Sequence, residues 1–389
     1  MTTKSFTRRR FVAGAAAVPF ALRAMAEPVP AGPRWVFLGT DLGKGIYRAS
    51  WNAATGELGK VELAATTDRP DFFALNPVWP ILYTVNSVVG DLAGVSSYHV
   101  DAARGTLTLL HRFDSHGDGP CAVSVDATGR AAFVANYQGG SFAAYHLGPG
   151  GEMADAGGLD CKGNAACGPL GPVKARQEAP HLHCAVVSPK NDFVLVCDLG
   201  DDAIEVFPIA PSADAMLGTP VRVGVRAGSG PRHVAFHPNG KWVYCIHEVD
   251  CTLDLFDWSA GKLMWRSGSV ISTLAKGVPV GINTACEIVV SDDGKFVYAC
   301  TRFVNEITVY RVDAATGLLT EQQRLSCGGQ IPRYFAFDPS RRWLVCTNQG
   351  TGVAGSGNVT VFAHDPATGK LSETPKTFAA ETPMFVLWV

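Results

Sequence analysis

Seven times along the chain a short apolar strand, usually opened by proline, is followed by a turn and a second apolar strand that ends in a small polar residue. The clearest copies are PRHVAFHPNGKWVYCIH from Pro231 and PRYFAFDPSRRWLVCTN from Pro332. Related copies begin at Pro70, Pro120, Leu182 and Ala285. The seventh is split: WVFLGT at Trp35 matches only the second strand, and PMFVLWV at Pro383 matches only the first. A unit of roughly 50 residues with four strands is the signature of a β-propeller. Two half-units that complete each other predict a ring stitched shut within one blade. The expectation is therefore an all-β, seven-bladed propeller of four antiparallel strands per blade, its C-terminal strand joining the N-terminal blade.

Residues 1–26 are a different kind of segment. Arg8, Arg9 and Arg10 precede a short apolar run, and Ala24-Met25-Ala26 supplies a small-x-small cleavage pattern. The segment resembles a twin-arginine export signal, which a receptor reads and which is not an element of the fold. The run from Phe11 to Leu22 is too short and alanine-rich for a stable membrane anchor. The reading is a cleaved signal followed by one propeller domain over 27–389, exported by the Tat machinery to the periplasm. Removing the five basic residues of the signal leaves 28 basic against 35 acidic residues, a net charge of −7. A mildly acidic surface without basic runs argues against nucleic acid and anionic membranes as partners. Small molecules remain.

Eleven cysteines cannot all pair within one chain. Cys197 and Cys300, and likewise Cys245 and Cys346, occupy equivalent places in apolar strands and read as small buried hydrophobes. Cys161 and Cys167, in a glycine-rich insertion, look like a loop disulfide that an oxidising compartment permits. Trp242 and Trp343 stand at equivalent second-strand starts and read as blade packing. No motif calls for a dinucleotide or other cofactor.

The repeats also serve as a ruler. Aligning first strands places Asp71, Cys121, His183, Arg232, Cys286, Arg333 and Met384 at one equivalent position, at the strand start. Aligning second strands places Asp41, Ser87, Tyr137, Leu199, Glu248, Arg302 and Gln349 just past the strand end. Antiparallel pairing brings the end of one strand beside the start of the next, so both rings belong to one face of the disc, around the central channel. Most positions are bland. One sector is not: His183, Arg232 and Arg333 from the first ring converge with Glu248 and Arg302 from the second, with His233 and Glu287 adjacent. Such a gathering is costly unless the groups pair with one another or bind something. His181 and His183 form an HxH pair that could ligate a metal, but no third ligand is evident and no metal is expected.

The chain resembles the seven-bladed β-propeller lactonase family, which includes 6-phosphogluconolactonase of the propeller type and the fungal 3-carboxymuconate lactonizing enzyme. The resemblance runs from about Trp35 to Val389 and rests on APHLH at Ala179–His183, GPRHVAFHPNGKWVY at Gly230–Tyr244 followed by Glu248, CEIVVSDDGKFVYACTR at Cys286–Arg302, and ATGKL at Ala367–Leu371. It implies a catalytic set of His183, Arg232, Glu248 and Arg302, with His181 beside it; His233, Glu287, Arg333 and Gln349 join as candidate substrate-binding residues from the ruler. Thr301 and His247 stand where the family often has asparagine. Opening a cyclic ester requires a base for water, here Glu248 or His183, and positive charge for the oxyanion, here Arg232 or Arg302. A lactonizing cycloisomerase would use the same equipment, and a non-catalytic propeller that binds a protein is the reading outside enzymology. An exported lactonase would meet a sugar-type or carboxylated lactone. The insertion between Gly148 and Gln177 is expected to cover the site.

Overall fold

The computed structural model describes residues 34–389 apart from 165–166, 210–215 and 354. Residues 1–26, read above as an export signal, lie outside the described residues. The described chain forms seven antiparallel sheets of four strands, or five where an extra short strand adds to the outer edge, and no α-helix. Within six blades the strands follow one another outward in chain order. In blade 1 the order is Glu57–Leu58, Gly45–Asn52, Arg34–Thr40 and then Pro383–Trp388, so the end of the chain supplies the innermost strand. Leu38 sits opposite Val386 and Phe37 opposite Leu387. The split seventh repeat is thus the closure that the sequence predicts.

The innermost strands are Pro383–Trp388 for blade 1, then Phe73–Leu75, Pro120–Val125, Leu182–Val187, Pro231–Phe236, Thr284–Val290 and Pro332–Phe337 for blades 2 to 7. Each lies against the next around the ring, and Pro383–Trp388 touches both Pro332–Phe337 and Phe73–Leu75. The second strands read as continuous apolar runs because both of their faces are covered by neighbouring blades. Ile81–Asn86, Ala131–Asn136 and Trp242–His247 are buried at every residue. Fourth strands such as Thr106–Asp114 face water along most of their length.

Apolar packing between blades holds the disc together. Tyr244, Ile246 and Leu253 of blade 5 pack against Ile288, Val297 and Tyr310 of blade 6. At the closure, Val345, Val359 and Val361 of blade 7 pack against Val36, Leu38, Trp51 and Val386 of blade 1. The ATG-type hairpins seal the outer seams: Gly317, at φ +74°, leaves room for the Trp242 ring of the preceding blade, where a Cβ would come within 2.8 Å of it. Trp242 and Trp343 are blade packing, as expected. Cys161 and Cys167 form the disulfide, and the remaining cysteines are free, all but the half-exposed Cys121 buried.

One backbone device recurs at the channel mouth. In blade 3, Pro120 faces Asn136 and Ala122 faces Ala135, leaving Cys121 unpaired between them. The same slip leaves out His183 in blade 4, Arg232 in blade 5, Arg333 in blade 7 and Met384 in blade 1. In blade 6 the irregularity spans Cys286 and Glu287. A β-bulge releases one residue from the pleat and re-aims its side chain. In these six blades the position aligned as the first ring therefore falls in the bulge, freed from the ladder to face the channel, whereas in blade 2 Asp71 precedes the strand Phe73–Leu75.

Candidate active site

A cavity of about 270 Å³ opens at this mouth, lined by residues of both rings. The first ring supplies Asp71, Cys121, His183, Arg333 and Met384, and the second Asp41, Ser87, Tyr137, Glu248, Arg302 and Gln349. The two rings share one face, as antiparallel pairing requires. Arg232 lies deeper, in a compartment of about 10 Å³ beneath, together with His233 and Glu287. That space is about large enough for one water.

Glu248 is the electrostatic centre. It is 3% exposed. Its Oε2 lies 2.8 Å from Arg302 Nη2, 2.9 Å from Arg232 Nε and 4.0 Å from His183 Nε2, and its Oε1 pairs with Arg176. Burial alone would raise this carboxyl. Arg302, Arg232, His183 and Arg176 together outweigh burial and hold it well below the usual carboxylate range. A carboxylate so stabilised holds a proton weakly, and its ion pairs make it the shared counter-charge of Arg176, Arg232 and Arg302.

Arg176 donates a hydrogen bond to Glu248 Oε1, whereas the Arg232 and Arg302 pairs are close without being aligned as hydrogen bonds. Arg302 Nε and Nη2, Arg232 Nε and Glu248 Oε2 are all buried and lack an in-line partner. Arg333 has no carboxylate within ion-pair distance among the described residues; burial beside Arg232 and Arg302 pushes its guanidinium down from the ordinary value. Arg302 and Arg333 both line the cavity, and a guanidinium there can donate to an oxyanion or a substrate carboxylate.

His183 is 4% exposed. Burial first, then Arg232, His233 and Arg333, drive its imidazole well below 6.5 against the opposing pull of Glu248, so the ring is neutral near pH 7. Its Nδ1 has no hydrogen-bond partner.

Other sequence candidates fall outside the cavity. His181 is stacked behind Tyr137, ring centroids 4.3 Å apart, with Nδ1 2.9 Å from the Tyr137 carbonyl and Nε2 3.0 Å from Glu178. Both nitrogens are engaged, so it positions Tyr137 and does not face the cavity. His233 Nδ1 and Glu287 Oε1 pair at 3.1 Å in the lower compartment, beside Arg232. No group of three or more potential metal-ligating side chains is found among the described residues. His247, standing where asparagine is usual, lies 3.0 Å from Asp254 in the core.

Two lining arginines escaped the ruler because neither sits at a ring position. Arg176 comes from the insertion after Gly148, whose last turn is pinned by Gln177 to the Leu199 carbonyl and the Val173 amide; the insertion does reach the site. Arg69 precedes Pro70 and pairs with Asp41 at 2.5 Å, while Asp41 also accepts from Gln349 Nε2 at 2.7 Å. Arg69 holds the place before a blade-opening proline that Gly119, Gly230, Ile331 and Thr382 hold elsewhere.

Seven blades thus bring arginines, a histidine and carboxylates together at one mouth. Residues 36–388 match the family described as lactonase, 7-bladed β-propeller. The chain belongs to that family. It is 31% identical to a 6-phosphogluconolactonase of Bacillus subtilis over 88% of this chain and 94% of that protein. Among solved structures it is similar to a periplasmic gluconolactonase of Pseudomonas aeruginosa, with TM-score 0.83, 26% identity and coverage of 92% of this chain and 99% of that one. It is also similar to a putative 6-phosphogluconolactonase of Bacteroides fragilis, with TM-score 0.81, 29% identity and coverage of 93% and 99%.

Proposed function

We propose that the protein is a periplasmic lactonase that opens a small sugar-type lactone. The observation that carries this reading is the pair of guanidiniums, Arg302 and Arg333, lining one cavity of about 270 Å³, Arg333 without an ion-pair partner among the described residues. Such a volume suits a single sugar ring. As water adds to the ester carbon, the carbonyl oxygen becomes an oxyanion, and preorganised cations in a buried site stabilise that charge more than they stabilise the neutral ester. Glu248 holds Arg176, Arg232 and Arg302 in place by its ion pairs.

The export-like segment favours an unphosphorylated substrate, since phosphorylated sugars are cytoplasmic metabolites. The Pseudomonas relative is named a periplasmic gluconolactonase, which supports that location and substrate class; the relatives from Bacillus subtilis and Formosa agariphila bear phosphogluconolactonase names. The test is acid release by the purified protein, followed in a pH-stat, with unphosphorylated and phosphorylated aldonolactones side by side. Faster opening of the unphosphorylated ring supports the reading. No acceleration with any lactone refutes it.

A further inference from the structure

Three carboxylates line the cavity, and two are committed. Glu248 is held by three arginines. Asp41 is held by Arg69 and Gln349. Asp71, on the wall formed by blade 2, has no ion pair within 4 Å among the described residues, and its buried Oδ1 has no hydrogen-bond partner. It lines both the cavity and the compartment beneath.

We propose that Asp71 is the proton-transfer residue of lactone opening. The assignment rests on the lactonase reading above and adds to it the group that activates water. The Asp71 carboxylate takes a proton from water as the water oxygen bonds to the lactone carbonyl carbon, and the carbonyl π pair moves onto the oxygen beside Arg302 and Arg333. When the oxyanion collapses, the ring C–O bond breaks and Asp71 returns its proton to the leaving alkoxide. The product is a hydroxy acid, which loses its own proton to solvent.

The surroundings of Asp71 suit that task. Facing it are Arg333 from blade 7, Asp41 from blade 1, Arg69 and the Ser87 hydroxyl from blade 2, with Cys121 of blade 3 also within its field. Burial dominates. Together with the neighbouring Asp41 it outweighs Arg333, Arg69 and Ser87 and lifts the carboxyl from 3.8 to about 7, where a general base works best near neutral pH. His183 is the rival acceptor. Burial first, and then Arg232, His233 and Arg333 around it, disfavour a proton on that ring.

The experiment uses the full protein with D-glucono-1,5-lactone, corrected for spontaneous opening. Wild-type kcat/KM should rise about tenfold per pH unit below about pH 7 and level above it. Asp71→Asn should lose about 100-fold or more in kcat with KM nearly unchanged, and its residual rate should lack that limb. A variant within about threefold of wild type, or one that keeps the limb, overturns the assignment while leaving the lactonase reading intact. The wild-type profile needs no variant: a flat response between about pH 6 and pH 8 overturns it alone. A wild-type protein that opens no lactone overturns both readings.

Discussion

Asp71 makes a prediction about stability that does not depend on turnover. Its carboxyl is raised from 3.8 to about 7, chiefly by burial. The folded protein therefore binds this proton more tightly than the unfolded chain does. Between about pH 4 and about pH 7 the native state carries the extra proton, so its stability falls as pH rises through that window and the loss is complete above about pH 7. At about 1.4 kcal/mol for each tenfold change in proton affinity, the loss is about 4 kcal/mol. Asn has the same shape and no proton to lose, so Asp71→Asn removes the penalty. A single domain of this size unfolds with an entropy of ~0.7 kcal/mol/K, which converts the gain to about 6 °C in melting temperature. Thermal melts of both proteins at fixed salt should nearly coincide at about pH 4.5 and diverge by about 6 °C at about pH 8.5, the variant being more stable. Parallel curves would show that Asp71 titrates alike in the folded and unfolded states, and the burial argument would fail.

Glu248→Gln should have the opposite effect at neutral pH. It leaves Arg176, Arg232 and Arg302 without their shared counter-charge, a loss of about 3–5 kcal/mol for a buried pair broken on one side. Because the Glu248 carboxyl is depressed, its contribution is present above about pH 4.5 and fades in acid, so denaturant midpoints of variant and wild type should approach one another as pH falls. Breaking the disulfide by Cys161→Ser should cost roughly 2 kcal/mol for so short a loop. Since the same insertion ends in Arg176, that variant should also raise KM for the lactone more than it lowers kcat.

The blades and their closure were legible because each repeat carries its own turn chemistry and apolar strands, and because WVFLGT and PMFVLWV each lack what the other has. Aligning the copies also found the cavity wall, since the aligned first-strand residue is the bulged one in blades 1, 3, 4, 5 and 7. Depth along the channel was not legible. Arg232 and Arg333 hold the same position in sequence, yet Arg232 points into the lower compartment alone while Arg333 borders both. His181 was misplaced for a related reason: it precedes the bulge, so the two-residue alternation that would put it beside His183 is broken.

Ranking ring residues by charge and by clustering in one sector favoured Glu248 and passed over Asp71 as isolated. In a buried site the reasoning runs the other way. A carboxylate surrounded by arginines is stabilised as the anion and gives up its affinity for protons, whereas one left nearly alone in a low-dielectric wall retains it. The cluster that stands out in the alignment is the part of the mouth that supplies fixed charge. Proton chemistry is expected where the pairing is incomplete, and that depends on which neighbours reach across from other blades: Arg69 reaching Asp41, and Arg176 reaching Glu248, each satisfy a carboxylate that would otherwise compete with Asp71 for the role.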